Sequence, residues 1–203
     1  MILFSIFLLT FTSCANIYQA SDASSLIREH KLIAIVTPDV LISPQSHIRP
    51  EALKHIQFGE AVKLQYEMYD WILRRKMQKR FMEVEVQNIE LTNKKLKESG
   101  FFDNTIISEK ELCEILEVDA IITSNYTLNT PFSTVGEVVN GILTDDWQPV
   151  KETTVLLSLY DQASSKHIWN YRSELIETSY SNASTFVQSF MHHASKRMPY
   201  SLK

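Results

Sequence analysis

The chain has 203 residues, 44% of them hydrophobic, and 24 acidic side chains against 20 basic ones give a net charge of −4. That length and apolar content suit one folded domain with its own core. The acidic balance argues against a nucleic-acid binder, which tends to be basic, and 4 glycines are little material for a phosphate-cradling loop.

Ile2 to Phe11 is an apolar run too short to span a bilayer, which takes about 20 residues. It has the length of a signal-peptide core and is followed by Thr12, Ser13 and Cys14. The row Phe11-Thr12-Ser13-Cys14 resembles the lipobox of bacterial lipoproteins. That resemblance implies a signal peptide over residues 1–13 and a lipid, such as palmitate, on Cys14. Ala15 follows, with no acidic residue there, which by the same resemblance favours the outer membrane and its periplasmic side. With Cys14 lipidated, Cys113 has no intramolecular partner, so the domain must rest on its core rather than on disulfides. Asn16, Gln19, Ser21, Asp22, Ser24 and Ser25 give residues 14–30 the small, polar composition of a lipid anchor with a flexible tether. Residues 31–203 are expected to form one periplasmic domain.

Leu32 to Val36 is a continuous apolar run of strand length, as in a central strand covered on both faces. Pro38 ends it, and Asp39 to Pro50, with three prolines in and around it, reads as a loop. Phe58 to Phe81 is predicted as a helix, because Phe58, Val62, Tyr66, Tyr69, Leu73, Met77 and Phe81 recur at helical spacing. Arg74, Arg75, Lys76, Lys79 and Arg80 fall late in it, where cations complement the helix dipole. Val84 and Val86 alternate with Glu83 and Glu85 as a half-exposed strand. A short helix, 92–98, stops at Gly100. Ser108 with Glu111 is a capping box opening another, with Leu112, Ile115 and Leu116 inward and Cys113 as a small core residue. Val118 to Leu128 reads as a strand. Val155–Tyr160 and Ile168–Ile176 read as an antiparallel hairpin turning through Asp161 to Lys166, with Trp169 and Tyr171 on one face. Val187, Phe190, Met191, Ala194 and Met198 form the stripe of a last helix, stopped by Pro199. The expected fold is α/β (α+β): a mixed sheet of about five strands, helices on its faces in a three-layer-like arrangement, and a C-terminal helix.

Few residues suggest chemistry. His192 and His193 are adjacent, so on a helix they point about 100° apart and suit no shared metal. Asp39 and His47 flank the stretch after the first strand, where functional groups of α/β sheets gather, and they define a hydrolase alternative. Asp145-Asp146 lack the alternating ligands and glycine of a Ca²⁺ loop. No catalytic residue, metal or cofactor is assigned, and the chain reads as non-enzymatic. The segment between the third strand and the hairpin is unusually apolar: Phe132, Val135, Val138, Val139, Ile142, Leu143 and Trp147. It either covers the sheet or presents a patch to a partner or membrane.

Three stretches carry a family resemblance: Leu112 to Ile122, Val155-Leu-Leu-Ser-Leu-Tyr-Asp161 followed by Lys166-His-Ile-Trp169, and the closing Ala194 to Tyr200. They are similar to the envelope lipoproteins of the CsgG, LpoB and TolB N-terminal-like group, with Ser164-Ser165 standing where that group commonly turns on a glycine. The resemblance implies a mixed α/β domain acting through protein contacts, in a group that includes a secretion pore and an activator of peptidoglycan synthases. The expectation is a lipid-anchored cell-envelope lipoprotein that binds an envelope protein or peptidoglycan. The alternative is an oligomeric secretion or assembly component.

Overall fold

The computed structural model describes residues 15–43, 49–103, 106–129, 131–132, 152–176 and 182–202. In chain order these form β1 (Ala15–Gln19), α1 (Ala23–Leu26), β2 (Leu32–Ile35), β3 (Asp39–Ile42), α2 (Pro50–Met77), β4 (Glu85–Val86), α3 (Ile89–Glu98), a 3₁₀ turn (Phe101–Asp103), α4 (Glu109–Leu116), β5 (Ala120–Leu128), β6 (Glu152–Asp161), β7 (Lys166–Ile176) and α5 (Ala183–Ala194). The strands make one 7-stranded mixed sheet in the order β1-β7-β6-β5-β2-β4, with β3 also on β5. The expected α/β class holds, with more strands than the five anticipated. β1 and β3 are the two that composition concealed.

β3 corrects the loop expected over Asp39 to Pro50. β2 and β3 lie end to end along one edge of β5, both parallel to it. Ile35 pairs with Ile122 and Asp39 with Asn125, so four steps on one strand oppose three on the other. The extra residue is a bulge at Val36-Thr37-Pro38. Proline suits a bulge because it brings no N–H to leave unpaired. Pro38 therefore interrupts the strand without ending it.

β1 corrects the tether. Ala15 to Gln19 pair antiparallel with Ser173 to Trp169 of β7. Ala20, Ala23 and Ile27 are buried, and Ile17 packs against the core from its edge strand. A polar edge strand needs only one inward apolar side chain, so its small polar residues read like a linker.

Two cores sandwich the sheet. The larger lies under α2 and α5 and gathers Leu64, Met68 and Ile72 with Ile122, Tyr126, Leu157, Trp169, Phe186 and Phe190. The smaller lies under α3 and α4 and gathers Ala34, Val36, Leu96, Leu112, Cys113, Leu116 and Ile121. α5 buries the predicted residues Val187, Phe190, Met191 and Ala194, and Asn182 caps it by accepting from the Thr185 amide at 2.9 Å. α4 carries the predicted Ser108–Glu111 capping box. α2 begins eight residues earlier than expected, with Pro50 in its first turn, and its buried stripe is a different one. Ala61, Leu64, Gln65, Met68 and Ile72 face the sheet, while Phe58, Tyr66 and Met77 are exposed. The aromatic stripe instead meets flanking structure: Phe58 packs edge-on against Phe102, and Tyr66 donates to Glu90 at 2.9 Å. No helix of the described residues is long and apolar enough to cross a membrane.

Candidate functional site

The residues singled out from sequence are scattered. Cys14, His47, Asp145, Asp146, Val135, Val138, Val139, Ile142, Leu143 and Trp147 lie outside the described residues. Asp39 is exposed on β3 opposite Asn125. Phe132 is half-buried and packs at 5.0 Å against Phe186 of α5, on the edge of the main core. His192 and His193 are both exposed. Their nitrogens face Lys196 at 2.9 Å and the Ser189 carbonyl at 3.1 Å, in different directions. Among the described residues no group of three His, Cys, Asp or Glu is placed to hold a metal. Cys113 is fully buried. Burial first, and then the carboxylates of Glu109 and Asp161, push its thiol up to about 12, so it stays a protonated core residue.

The structure assembles instead a buried polar trio. His30 follows α1, Asp161 ends β6, and Tyr200 follows α5, with 7%, 1% and 0% of their surfaces exposed. The Nε2–H of His30 donates to Asp161 Oδ1 at 2.6 Å. On the other side of the ring, Nδ1 is within hydrogen-bonding reach of the Tyr200 hydroxyl. Asp161 Oδ2 accepts from the Ser164 amide at 2.6 Å in the hairpin turn. Burial alone would raise the Asp161 carboxyl, but hydrogen bonds from Ser164 and His30 outweigh it and hold the group below the usual carboxylate range. Burial, followed by the carboxylates of Asp161 and Asp119, drives the Tyr200 phenol well above its ordinary value, so it remains a hydroxyl donor.

A second polar cluster sits at the bulge. Gln65, fully buried on α2, donates to the Ile35 carbonyl at 2.8 Å and to Asn93 Oδ1 at 3.0 Å. Asn93 of α3 donates back to Gln65 Oε1 at 2.9 Å, and Thr37 donates to Asn93 at 3.0 Å. The bulge therefore gives up ladder bonds and regains partners from two helices.

An Asp–His–hydroxyl order resembles a nucleophile relay. Here the hydroxyl is an un-ionised phenol with no exposed surface, so no substrate reaches it. The trio ties the start of β2, the β6–β7 hairpin and the end of the chain together, and it is structural. Sequence reasoning missed it because His30 fell in the presumed tether and Asp161 read as a turn residue. The strand-ending Asp161 was the available signal. The outer face of the strands beyond α3 and α4 is polar. Its register runs Asp39, Asn125, Leu156, Arg172, Asn16 across five strands, and Tyr18 and Leu41 stand exposed on it at 53% and 57%.

No protein-family model matches the chain, and no curated protein matches it by sequence. Solved structures similar to it include the lipoprotein GNA1162 from Neisseria meningitidis, at 13% identity and a TM-score of 0.44 over 85% of this chain and 99% of that one. The LpoB C-terminal domain from Salmonella enterica aligns at 7% identity and a TM-score of 0.36, over 72% of this chain and 83% of that one. The PelC dodecamer from Paraburkholderia phytofirmans aligns at 10% identity and a TM-score of 0.35, over 95% of this chain and 99% of that one. The solved structures that resemble this chain thus include a bacterial lipoprotein.

Proposed function

We propose that this chain is a non-catalytic lipoprotein of the bacterial envelope, held by a lipid on Cys14 at the periplasmic side of the outer membrane, whose domain binds a protein or peptidoglycan partner. The observation that carries the reading is the place of β1. It opens at Ala15, the residue after Cys14, and is already paired to Ser173 of β7. A lipid at Cys14 then mounts the sheet on the membrane with no tether, and the bilayer fixes which end of the sheet it meets. β5 ends at Leu128 and β6 begins at Glu152 at that same end, because Thr127 pairs with Thr154 and Glu152 with Ile176. The apolar segment from Phe132 to Trp147 is thus bracketed by strand ends beside the anchor, which supports a contact there with the membrane or a membrane-bound partner.

Palmitate labelling of the wild type and of Cys14→Ala tests the anchor. Label and membrane fractionation should both be lost in the variant, and retention of either overturns the reading. Cross-linking from Val139 and Trp147 in cells tests the contact segment. Protection of both positions in the isolated protein, with nothing captured, would make the segment ordinary core.

A further inference from the structure

The end of the domain away from Ala15 has a distinct chemistry. Ala15 lies opposite Ser173, and the strand from there back to Lys166 is about 23 Å long at 3.3 Å per residue. At that far end Asp161 meets His30, which meets Tyr200, and the residues around Tyr200 clamp the segment that follows α2. The Met82 amide donates to the Tyr200 carbonyl at 2.9 Å, and the Leu202 amide donates to the Arg80 carbonyl at 3.2 Å. α2 and α5 therefore finish side by side.

Arg74 stands in the last turn of α2, Lys79 and Arg80 just follow it, and Lys196 and Arg197 just follow α5. All five are exposed, and none forms an ion pair with a carboxylate among the described residues. The helix dipole accounts for Arg74, in the last turn of α2. It does not account for Lys79 and Arg80, which lie past the helix end at Met77, or for Lys196 and Arg197, past Ala194. Lys196 first, and then burial, His193 and Arg75, lower the pKa of the His192 imidazole. Beside these cations is an open cavity of about 560 Å³ lined by Lys76, Lys79, Phe81, Met82 and Leu202, along with Glu83 and Glu85. Glu85 lies 3.4 Å from Lys76, so one of the two carboxylates is already matched. Leu202, on the cavity wall, is 46% exposed. Cations without a carboxylate partner outnumber Glu83 and Glu85 at this pole, and on a chain of net charge −4 that excess complements an acidic ligand, with Phe81, Met82 and Leu202 available to an apolar side chain.

We propose that this pole docks an acidic peptide segment bearing an apolar side chain, presented by a partner protein that stands away from the anchoring membrane. The placement relative to the membrane rests on the Cys14 reading; the binding chemistry does not. With the lipid at the opposite end of the sheet, the anchoring bilayer's own headgroups are not the partner. Carboxylates of the peptide meet Lys79, Arg80 and Lys196, and its apolar side chain enters between Phe81, Met82 and Leu202.

The test uses the full chain in neutral detergent and a fluorescent Glu-Leu repeat peptide read by anisotropy, with a Lys-Leu repeat as the sign control. The Glu-Leu peptide should bind and the Lys-Leu peptide should not. The combined Lys79→Glu, Arg80→Glu and Lys196→Glu variant should bind about tenfold more weakly, while Lys94→Glu with Lys97→Glu on α3 should stay within about twofold. Failure of the wild type to bind, equal losses in the two variants, or binding to phosphatidylglycerol vesicles through the same three cations with the peptide unaffected, would each overturn the proposal. Melting curves that coincide with wild type keep unfolding out of the result. Peptide binding by Cys14→Ala should be unchanged, so the anchor and the docking surface fail separately.

Discussion

The two buried polar clusters solve similar problems with different chemistry. The trio of His30, Asp161 and Tyr200 contains an ionised carboxylate and joins segments 131 and 170 residues apart in sequence. The trio of Thr37, Gln65 and Asn93 is neutral and joins a strand bulge to two helices across 28 and 56 residues. A buried charge is costly to leave without partners, whereas neutral amides lose the worth of their hydrogen bonds and little more. The first cluster therefore makes closure of the domain's end all-or-none. The second repairs a local break in a ladder.

Four experiments test that contrast. Asp161→Ala removes the charge from its buried partners and opens the hairpin turn at Ser164; urea denaturation should show a loss of about 3–5 kcal/mol. Gln65→Ala leaves the Ile35 carbonyl and Asn93 unsatisfied and should cost about 2 kcal/mol by the same measurement. Equal losses would erase the distinction between the clusters.

The pH dependence separates them further. The folded pKa of Asp161 is depressed, so its contribution is present above the unfolded carboxylate value of about 3.9 and is lost as pH falls through the lower folded value. The gap in stability between wild type and Asp161→Asn should narrow as acid is added below about pH 4. The Gln65→Ala penalty should stay flat, because its cluster has nothing to titrate. An Asp161→Asn gap that is independent of pH would show that the carboxylate's charge contributes nothing.

The smallest effect is at the turn beside Asp161. Ser165 sits at φ 53°, a left-handed conformation that costs a residue with a Cβ about 1 kcal/mol. Ser165→Gly should raise the melting temperature by a few degrees. A fall would show that the Ser165 hydroxyl, which donates to the Gln162 carbonyl at 3.3 Å, matters more than the backbone strain.

Much of this fold was legible where one side of an element faces one environment. α5 lies on the main core alone, and its stripe from Val187 to Ala194 reads directly, while the buried Met198 lies past the helix end. α2 touches the sheet with Ala61, Leu64, Gln65, Met68 and Ile72 and its flanks with aromatics, so size and hydrophobicity pointed to Phe58 and Tyr66 rather than to Ala61 and Gln65. β3 was hidden by a proline that marks a bulge, and β1 by the polarity of an edge. The trio around His30 was illegible for a different reason. Its members are three ordinary residues with no local pattern, brought together by sheet topology.

The sequence separation within that trio has a consequence for how the chain is made. Chains are synthesised from the N-terminus onward, so His30 emerges long before Asp161 and longer still before Tyr200. Closure of the sheet's end must wait for Tyr200, the regime of long-range contact in which folding is slow. The segment around His30 stays unlocked until then, and the arrival of Tyr200 sets the latch. A chain truncated before Tyr200 would be unable to close.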